Sequence, residues 1–494
     1  MMHTVMDVPL FKDSVEPIYR QLARHFRLQI ESGRLSPGAR LPPTRDLARE
    51  LGVGRISVVN AYAQLQSEGL IAAHPGRGTF VTGSRPAGSG LSPSWPPLGA
   101  LNISMREMTR LARQPGVIAF SGGTPPEEFL PVEALRHAIN TVLDRDGAAA
   151  VTYEESEGFP PLRVDVCEYI TSLGIQCHPD DVLITGGAQQ ALDLVVQTLL
   201  SEGEILVTSN PTYLGMLDIA HVHRVIPAGV PVDEHGMHLD ALETVLRERQ
   251  PGLIYVAPTY HNPTGTVMPI HRRRQLLALA KRYGVPILED AVYHELSYRE
   301  TPPPPLKALD EEGLVLHASG FSKILLPGTR IGYLIADGAL RDRLARVKAA
   351  ADVCTPGLNQ RAMHAYLASG ALVGHLNRVC AELRLRYEAA CVAARQYLPP
   401  GSQWTEPAGG LYLWVKLPDD GPTAAELYVM AIQRGVAYAI GTLFHTDGAG
   451  NRHIRLNFGA QPPARIEEGF KRLRAAWDFW QETCGPTIQR TPIL

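Results

Sequence analysis

Between residues 16 and 32 apolar side chains recur every fourth position, at Ile18, Leu22, Phe26 and Ile30, which predicts a helix with one buried face. Gly33 stops it, and Ser36-Pro37-Gly38 turns the chain. A second short helix is predicted after Pro43, with Thr44 as its N-cap and Leu47, Ala48 and Leu51 facing inward. After the Gly52-Val53-Gly54 turn, a third helix over 56–68 offers Val59, Tyr62, Ala63 and Leu65 to the core. Leu70-Ile71, a Pro75-Gly76-Arg77-Gly78 turn and Thr79-Phe80-Val81 then read as a two-stranded hairpin. Three helices with a tight turn before the last, followed by a hairpin, describe a winged helix-turn-helix over residues 10–82.

The periodic pattern then lapses. Residues 83–105 are dense in Gly, Ser and Pro, with Trp95 as the one aromatic, and read as an extended tether between two domains. From 106 to 494 short apolar runs at 182–184, 205–208, 253–257, 286–289, 314–317 and 331–335 are separated by helical segments. Such alternation predicts an α/β domain, a mostly parallel sheet covered by helices, with its site at the carboxyl ends of the strands. The cationic run His271-Arg272-Arg273-Arg274 reads as the solvated face of a helix, and the prolines at 302–305 as an extended connector.

Charge sharpens the division. Residues 10–82 carry ten Lys or Arg against six Asp or Glu, a balance of +4, which leaves −7 for the remainder of a chain whose net charge is −3. A basic module on an acidic body suits double-stranded DNA, with the third helix in the major groove. Arg55, Ile56 and Ser57 would then lie near base edges, Arg45 at phosphate or base, and Gly76 and Arg77 at the tip of the wing. A helical protein–protein adaptor is the competing reading of the same charge. The six cysteines are scattered without a CxxC pair, and no apolar run approaches a membrane span. Both features point to a reducing cytoplasm, with no metal and no membrane.

The chemistry concentrates where strands end. Lys323 leaves an apolar strand inside ASGFSKILLPGTRIGY, among small and hydroxyl residues, with Arg330 in the same loop. An amine in a partly desolvated pocket attacks aldehydes to give a Schiff base, and the aldehyde suggested is pyridoxal 5'-phosphate, with Arg330 toward its phosphate; a surface loop with two ordinary cations is the competing reading of the same stretch. Thr185-Gly186-Gly187-Ala188-Gln189-Gln190 joins a strand to a helix N-terminus, a place for an anion. Tyr213, after Asn210-Pro211-Thr212, offers a ring for stacking. Asp290 leaves a buried strand, which is costly unless a cation or proton donor pairs with it; a pyridinium nitrogen, which it would keep protonated, is such a partner, and a helix cap is the competing role. Asn262 and Tyr293 are placed to donate to the ring's phenolate oxygen.

Two stretches, LPPTRDLARELGVGRISVVNAYAQLQSEGLI and HPGRGTFV, resemble the DNA-binding module of the GntR superfamily. From about Gln114 onward the chain resembles fold-type I, class I/II aminotransferases, which implies a PLP-dependent transferase domain with a mixed, mostly parallel sheet and a smaller C-terminal subdomain near 355–494. By that resemblance Lys323 forms the internal aldimine, Asp290 pairs the ring nitrogen, Tyr213 stacks, and Asn262 and Tyr293 contact the ring hydroxyl. Gly187, Ala188, Gln189 and Arg330 hold the phosphate, Tyr153 reaches the neighbouring subunit's phosphate, and Arg455 grips a substrate α-carboxylate. One position departs from the pattern. Gly320 stands where such enzymes usually have Ser or Thr, with Ser319 and Ser322 as substitutes, and a missing bond there would cost about 1 kcal/mol or somewhat more.

The two resemblances together match the MocR/GabR subfamily of transcription regulators. They imply a cytoplasmic homodimer that binds promoter DNA and senses an amino acid or amine, or the cofactor itself, by aldimine exchange at Lys323. A working aminotransferase with an autoregulatory DNA-binding module is the alternative.

Overall fold

Leu22, Ala23 and Phe26 of α1 (Ile18–Glu31) pack against α3 (Arg55–Ser67), and α2 (Thr44–Glu50) adds Leu47 and Ala48 to the same small core. The computed structural model describes residues 18–31, 35–36, 38–67, 70–74, 78–82, 110–123 and 126–483. The chain divides into two units, residues 1–99 and 100–494. In the first, Tyr62 crosses the core edge-on to Phe26, with ring centroids 5.9 Å apart, and its hydroxyl donates to Pro42 O at 2.9 Å.

Several expectations shift here. Pro43, not Thr44, stands at the head of α2, and its carbonyl accepts Leu47 N at 3.0 Å, so Thr44 is already helical. Along α3 the buried residues are Val58, Ala61, Tyr62 and Leu65, while Val59 and Ala63 face outward. Paired valines at 58 and 59 satisfy either helical phase, so the pattern alone could not choose. The hairpin of β2 (Ile71–His74) and β3 (Gly78–Val81) gains a third strand, β1 (Arg40–Leu41), antiparallel to β3 and too short to show alternation. The tether over 83–105 lies outside the described residues.

The larger unit begins with β4 (Ile118–Ala119) and continues through β5 (Val182–Thr185), β6 (Ile205–Asn210), β7 (Ile226–Asp233), β8 (Gly236–Met237) and β9 (Leu253–Val256) to β10 (Ile287–Asp290), β11 (Val315–Gly320) and β12 (Gly332–Ile335). All but β4 form one sheet in the order β5-β12-β11-β10-β9-β6-β7-β8. Strands β6, β7, β9, β10 and β11 run parallel, whereas β12 lies antiparallel between β11 and β5. Strands β5, β9 and β10 are buried along their whole length, as helices covering a parallel sheet require.

A second, antiparallel sheet follows in the order β13-β14-β17-β16, from β13 (Gln403–Trp404), β14 (Tyr412–Lys416), β16 (Ala439–Ile440) and β17 (His453–Asn457), and β15 (Val436–Ala437) pairs in parallel with the distant β4. Among the described residues no helix is long and apolar enough to cross a membrane, and no group of three or more His, Cys, Asp or Glu could hold a metal ion.

Arg273 corrects the reading of the 271–274 run as solvated. It is fully buried, and its guanidinium donates to Met268 O, Pro258 O, Thr259 Oγ1 and Pro304 O at 2.8–3.0 Å. Four acceptors offset the cost of burying the charge, and together they tie the 302–305 connector to the end of β9.

Candidate functional site

At one edge of the large sheet β5, β6, β9, β10 and β11 end and the antiparallel β12 starts. That edge gathers residues far apart in sequence. Ala188, Gln189, Tyr213, Asn262, Asp290, Tyr293, Ser322, Lys323 and Arg330 line a single cleft of about 660 Å³, its open mouth included.

The cationic end is built from close backbone approaches. Gly187, with φ of +91°, heads the helix Ala188–Leu199, and a Cβ at this position would come within 2.5 Å of the Arg330 guanidinium. Arg330 donates to Gly186 O at 2.9 Å and to Ser322 Oγ at 3.3 Å. A Cβ at Gly320 would meet Gly332 Cα at 2.8 Å, and one at Gly332 would meet the Gly187 backbone at 2.5 Å. Gly320 is therefore glycine because β11, β12 and the 187 turn touch there, leaving no room for the Ser or Thr of the aminotransferases. Of the two neighbouring hydroxyls, Ser319 is buried against Tyr333, and Ser322 is the one beside Arg330.

Asp290 closes the opposite end. It is almost fully buried, and burial pushes its carboxyl above the usual range, against the Tyr255 hydroxyl that donates to Oδ2 at 2.8 Å, the Val292 N–H on Oδ1 and the Lys323 charge. Lys323 is half-buried, and Nζ donates to Gly123 O at 2.6 Å. The phenols around them stay protonated, because burial raises Tyr213, Tyr255 and Tyr293 alike. Tyr213 donates to Gln189 Oε1 at 2.9 Å, and the Tyr293 and Tyr412 hydroxyls lie 3.0 Å apart.

Arg455, on β17, reaches over from the smaller sheet. It is 5% exposed, lies over the Tyr412 and Phe444 rings, and donates to Asn262 Oδ1 and to Ser121 O, both at 2.8 Å. Its Nε is buried without a protein partner. Arg455 is therefore not a surface arginine. Tyr153 is not part of the cleft: it is 85% exposed.

Sequence reasoning missed Tyr255, Tyr412 and the 121–123 segment. A lone tyrosine in the aliphatic run LIYV was the available signal for Tyr255, which sits opposite Leu288 on the strand next to Asp290. In the smaller unit Arg45 is exposed on α2, Arg55 opens α3, Ile56 is 75% exposed, and Ser57 N donates to Gly54 O at 3.0 Å. Gly76 and Arg77 lie outside the described residues.

Comparison with known proteins matches residues 115–473 to aminotransferase class I and II and residues 18–81 to the bacterial regulatory proteins of the gntR family. The probable rhizopine catabolism regulatory protein MocR of Rhizobium meliloti is 30% identical, over 95% of this chain and 95% of its own. Aromatic-amino-acid aminotransferase 1 of Thermococcus litoralis is 36% identical, over 76% of this chain and 91% of its own. Among solved structures, LysN, the alpha-aminoadipate aminotransferase of Thermus thermophilus complexed with N-(5'-phosphopyridoxyl)-L-leucine, is 33% identical with a TM-score of 0.72, covering 77% of this chain and 95% of that one.

Proposed function

The chain belongs to the aminotransferase class I and II family and, with a gntR-family module ahead of that domain, to the MocR-type transcription regulators; we propose that its larger unit senses an amino compound and its smaller unit answers on promoter DNA. It is a regulator dependent on pyridoxal phosphate, and the residues of the cleft fit that cofactor. An arginine and a helix N-terminus suit a phosphate dianion, a buried carboxylate at the far end suits a cationic ring nitrogen, and an amine lies between them.

Arg330, Ser322 and the Gly187, Ala188 and Gln189 backbone would hold the phosphate. Asp290, oriented by Tyr255, would pair the ring nitrogen; Asn262 and Tyr293 would contact the ring hydroxyl, and Tyr213 would lie against the ring face. When bound, pyridoxal phosphate supplies an electrophilic carbon that condenses reversibly with primary amines. Lys323 is the chain's own amine for that carbon, and an incoming amino compound competes with it. Arg455 offers a planar guanidinium fork to an α-carboxylate, in a pocket dry enough to strengthen the pairing. Tyr153, exposed on its own chain, reaches the phosphate site of the second subunit in a cytoplasmic homodimer.

The observation that carries this reading is the 2.6 Å bond from Lys323 Nζ to Gly123 O, a resting place for the amine when an effector displaces it. Displacement then biases the two arrangements of the DNA-binding heads by the 1–3 kcal/mol typical of such coupling. Gel shift on the DNA flanking its own gene, with and without pyridoxal phosphate and a panel of amino acids, tests it. Wild type should respond to cofactor plus one class of amino compound and Lys323→Ala should not; equal responses from both would refute the exchange mechanism.

A further inference from the structure

The outward face of α3 has an unusual composition for a helix in a basic module. Ile56, Val59, Asn60 and Ala63, at helical spacings of three, four and seven, all face solvent, while Val58, Ala61, Tyr62 and Leu65 fill the core behind them. Ile56 is 75% exposed and Val59 42%. Single exposed aliphatics are ordinary, but these form a stripe on one face with one amide among them. Between 56 and 63 the helix has no Lys, Arg, Asp or Glu. Exposed cations accompany the stripe, Arg45 and Arg49 on α2, which packs on α3, and Arg55 at the head of α3 itself. Arg49 pairs with Asp46 at 3.5 Å, an ion pair that is solvent-exposed on both sides and weak. An apolar ridge with guanidinium groups nearby complements a groove whose floor is partly apolar and whose rims are phosphate.

The floor of the major groove has one apolar feature, the 5-methyl group of thymine, and adenine beside it presents N6 and N7 to an Asn amide. Guanine and cytosine ask instead for Arg, Lys, Asp or Glu, and the stripe has none of these. Resting on the reading of this unit as DNA-binding, we propose that α3 reads A·T base pairs: Ile56, Val59 and Ala63 against thymine methyl groups, and Asn60 on adenine. Arg55, one residue ahead of the stripe, is the group placed to take a guanine at its edge or a phosphate.

The test uses the full-length, cofactor-loaded protein and a duplex enriched from a random pool by repeated binding to it. Replacing the thymines of that duplex by deoxyuridine removes the methyl groups and leaves every hydrogen bond in place. Wild type should lose about fourfold in affinity for each methyl it fully buries, and the Ile56→Ala/Val59→Ala double variant should bind thymine and uracil duplexes almost alike. Asn60→Ala should relax the preference for adenine at one position by roughly tenfold or more. All three side chains are exposed, so unchanged melting temperatures will show that the fold is intact. Equal wild-type binding to both duplexes, a uracil penalty that survives in the double variant, or a pool that converges on G·C pairs at its centre would each overturn the inference while leaving DNA binding in place. Failure to retain any duplex would refute the DNA-binding reading itself.

Discussion

Lys323 and Arg455 lean on the same short piece of backbone: Lys323 Nζ donates to Gly123 O at 2.6 Å and Arg455 Nη2 to Ser121 O at 2.8 Å. The segment follows directly on β4, whose partner β15 belongs to the C-terminal part of the chain. The carboxylate of an incoming amino compound would call on Arg455 and withdraw it from Ser121 O, while the displaced Lys323 rests on Gly123 O. Amide hydrogen exchange at Ile118 and Phe120, now bonded to Gly435 O and Ala437 O at 2.7–2.8 Å, should then quicken about tenfold, the weight of one charge-assisted bond. An unchanged exchange rate on adding an active amino acid would break the link between effector and segment.

Tyr255→Phe removes the hydroxyl that fixes Asp290 Oδ2 at 2.8 Å. Burial already raises this carboxyl, and losing a donor raises it further, so its ionised form is harder to keep. Absorbance titration with pyridoxal phosphate should show affinity weakened about tenfold or more, consistent with about 1.5–3 kcal/mol for a hydrogen bond to a charged group. Affinity equal to wild type would show that Tyr255 does not orient Asp290 for the cofactor.

Acid should weaken the larger unit through its buried and half-buried histidines, among them His261, His294 and His453. Burial pushes His261 and His294 down to about 4, well below the ordinary imidazole value of 6.5. Between those values the unfolded chain binds protons that the folded rings refuse, so stability present above pH 6.5 is lost as the pH falls toward 4. Asp290 and Glu295, raised by burial, work in the opposite sense, so the useful measurement is a difference between proteins. Thermal melts at pH 7.5, 6 and 5 should fall less steeply for His261→Asn than for wild type. Parallel slopes would mean that His261 charges freely in the folded protein.

Gly320→Ser restores the hydroxyl usual in aminotransferases and should nonetheless harm this protein. Its Cβ would stand 2.8 Å from Gly332 Cα and 3.1 Å from Ile331 O, both backbone atoms of the adjoining chain. A stability loss of about 1–3 kcal/mol is expected from such overpacking, with no gain in cofactor affinity. Tighter cofactor binding at an undiminished melting temperature would show that the strands can part without penalty.

Much of this site was readable before any fold was known, because Lys323, Asp290 and Arg330 are charged residues at the ends of apolar strands. The helix-turn-helix was readable for a similar reason, through its period and its arginines. Unreadable were the contacts fixed by lateral neighbours. Tyr255 meets Asp290 because β9 lies beside β10, and Tyr412 meets Tyr293 across 119 residues of chain. The phase of α3 was hidden by Val58-Val59, and the burial of Arg273 by its charged neighbours. Gly320 looked like a missing hydroxyl until Ile331 and Gly332 were seen to crowd it.

The placing of β5 at the rim of the sheet bears on how the protein is born. Val182–Thr185, which leads into the Gly187 turn, has a single lateral neighbour, Gly332–Ile335. On the ribosome the first of these strands emerges roughly 150 residues before the second exists, and at typical elongation speeds it waits on the order of ten seconds for its companion. The cup for the vitamin cannot close during that interval, and a nascent chain arrested before residue 332 lacks the strand that closes it.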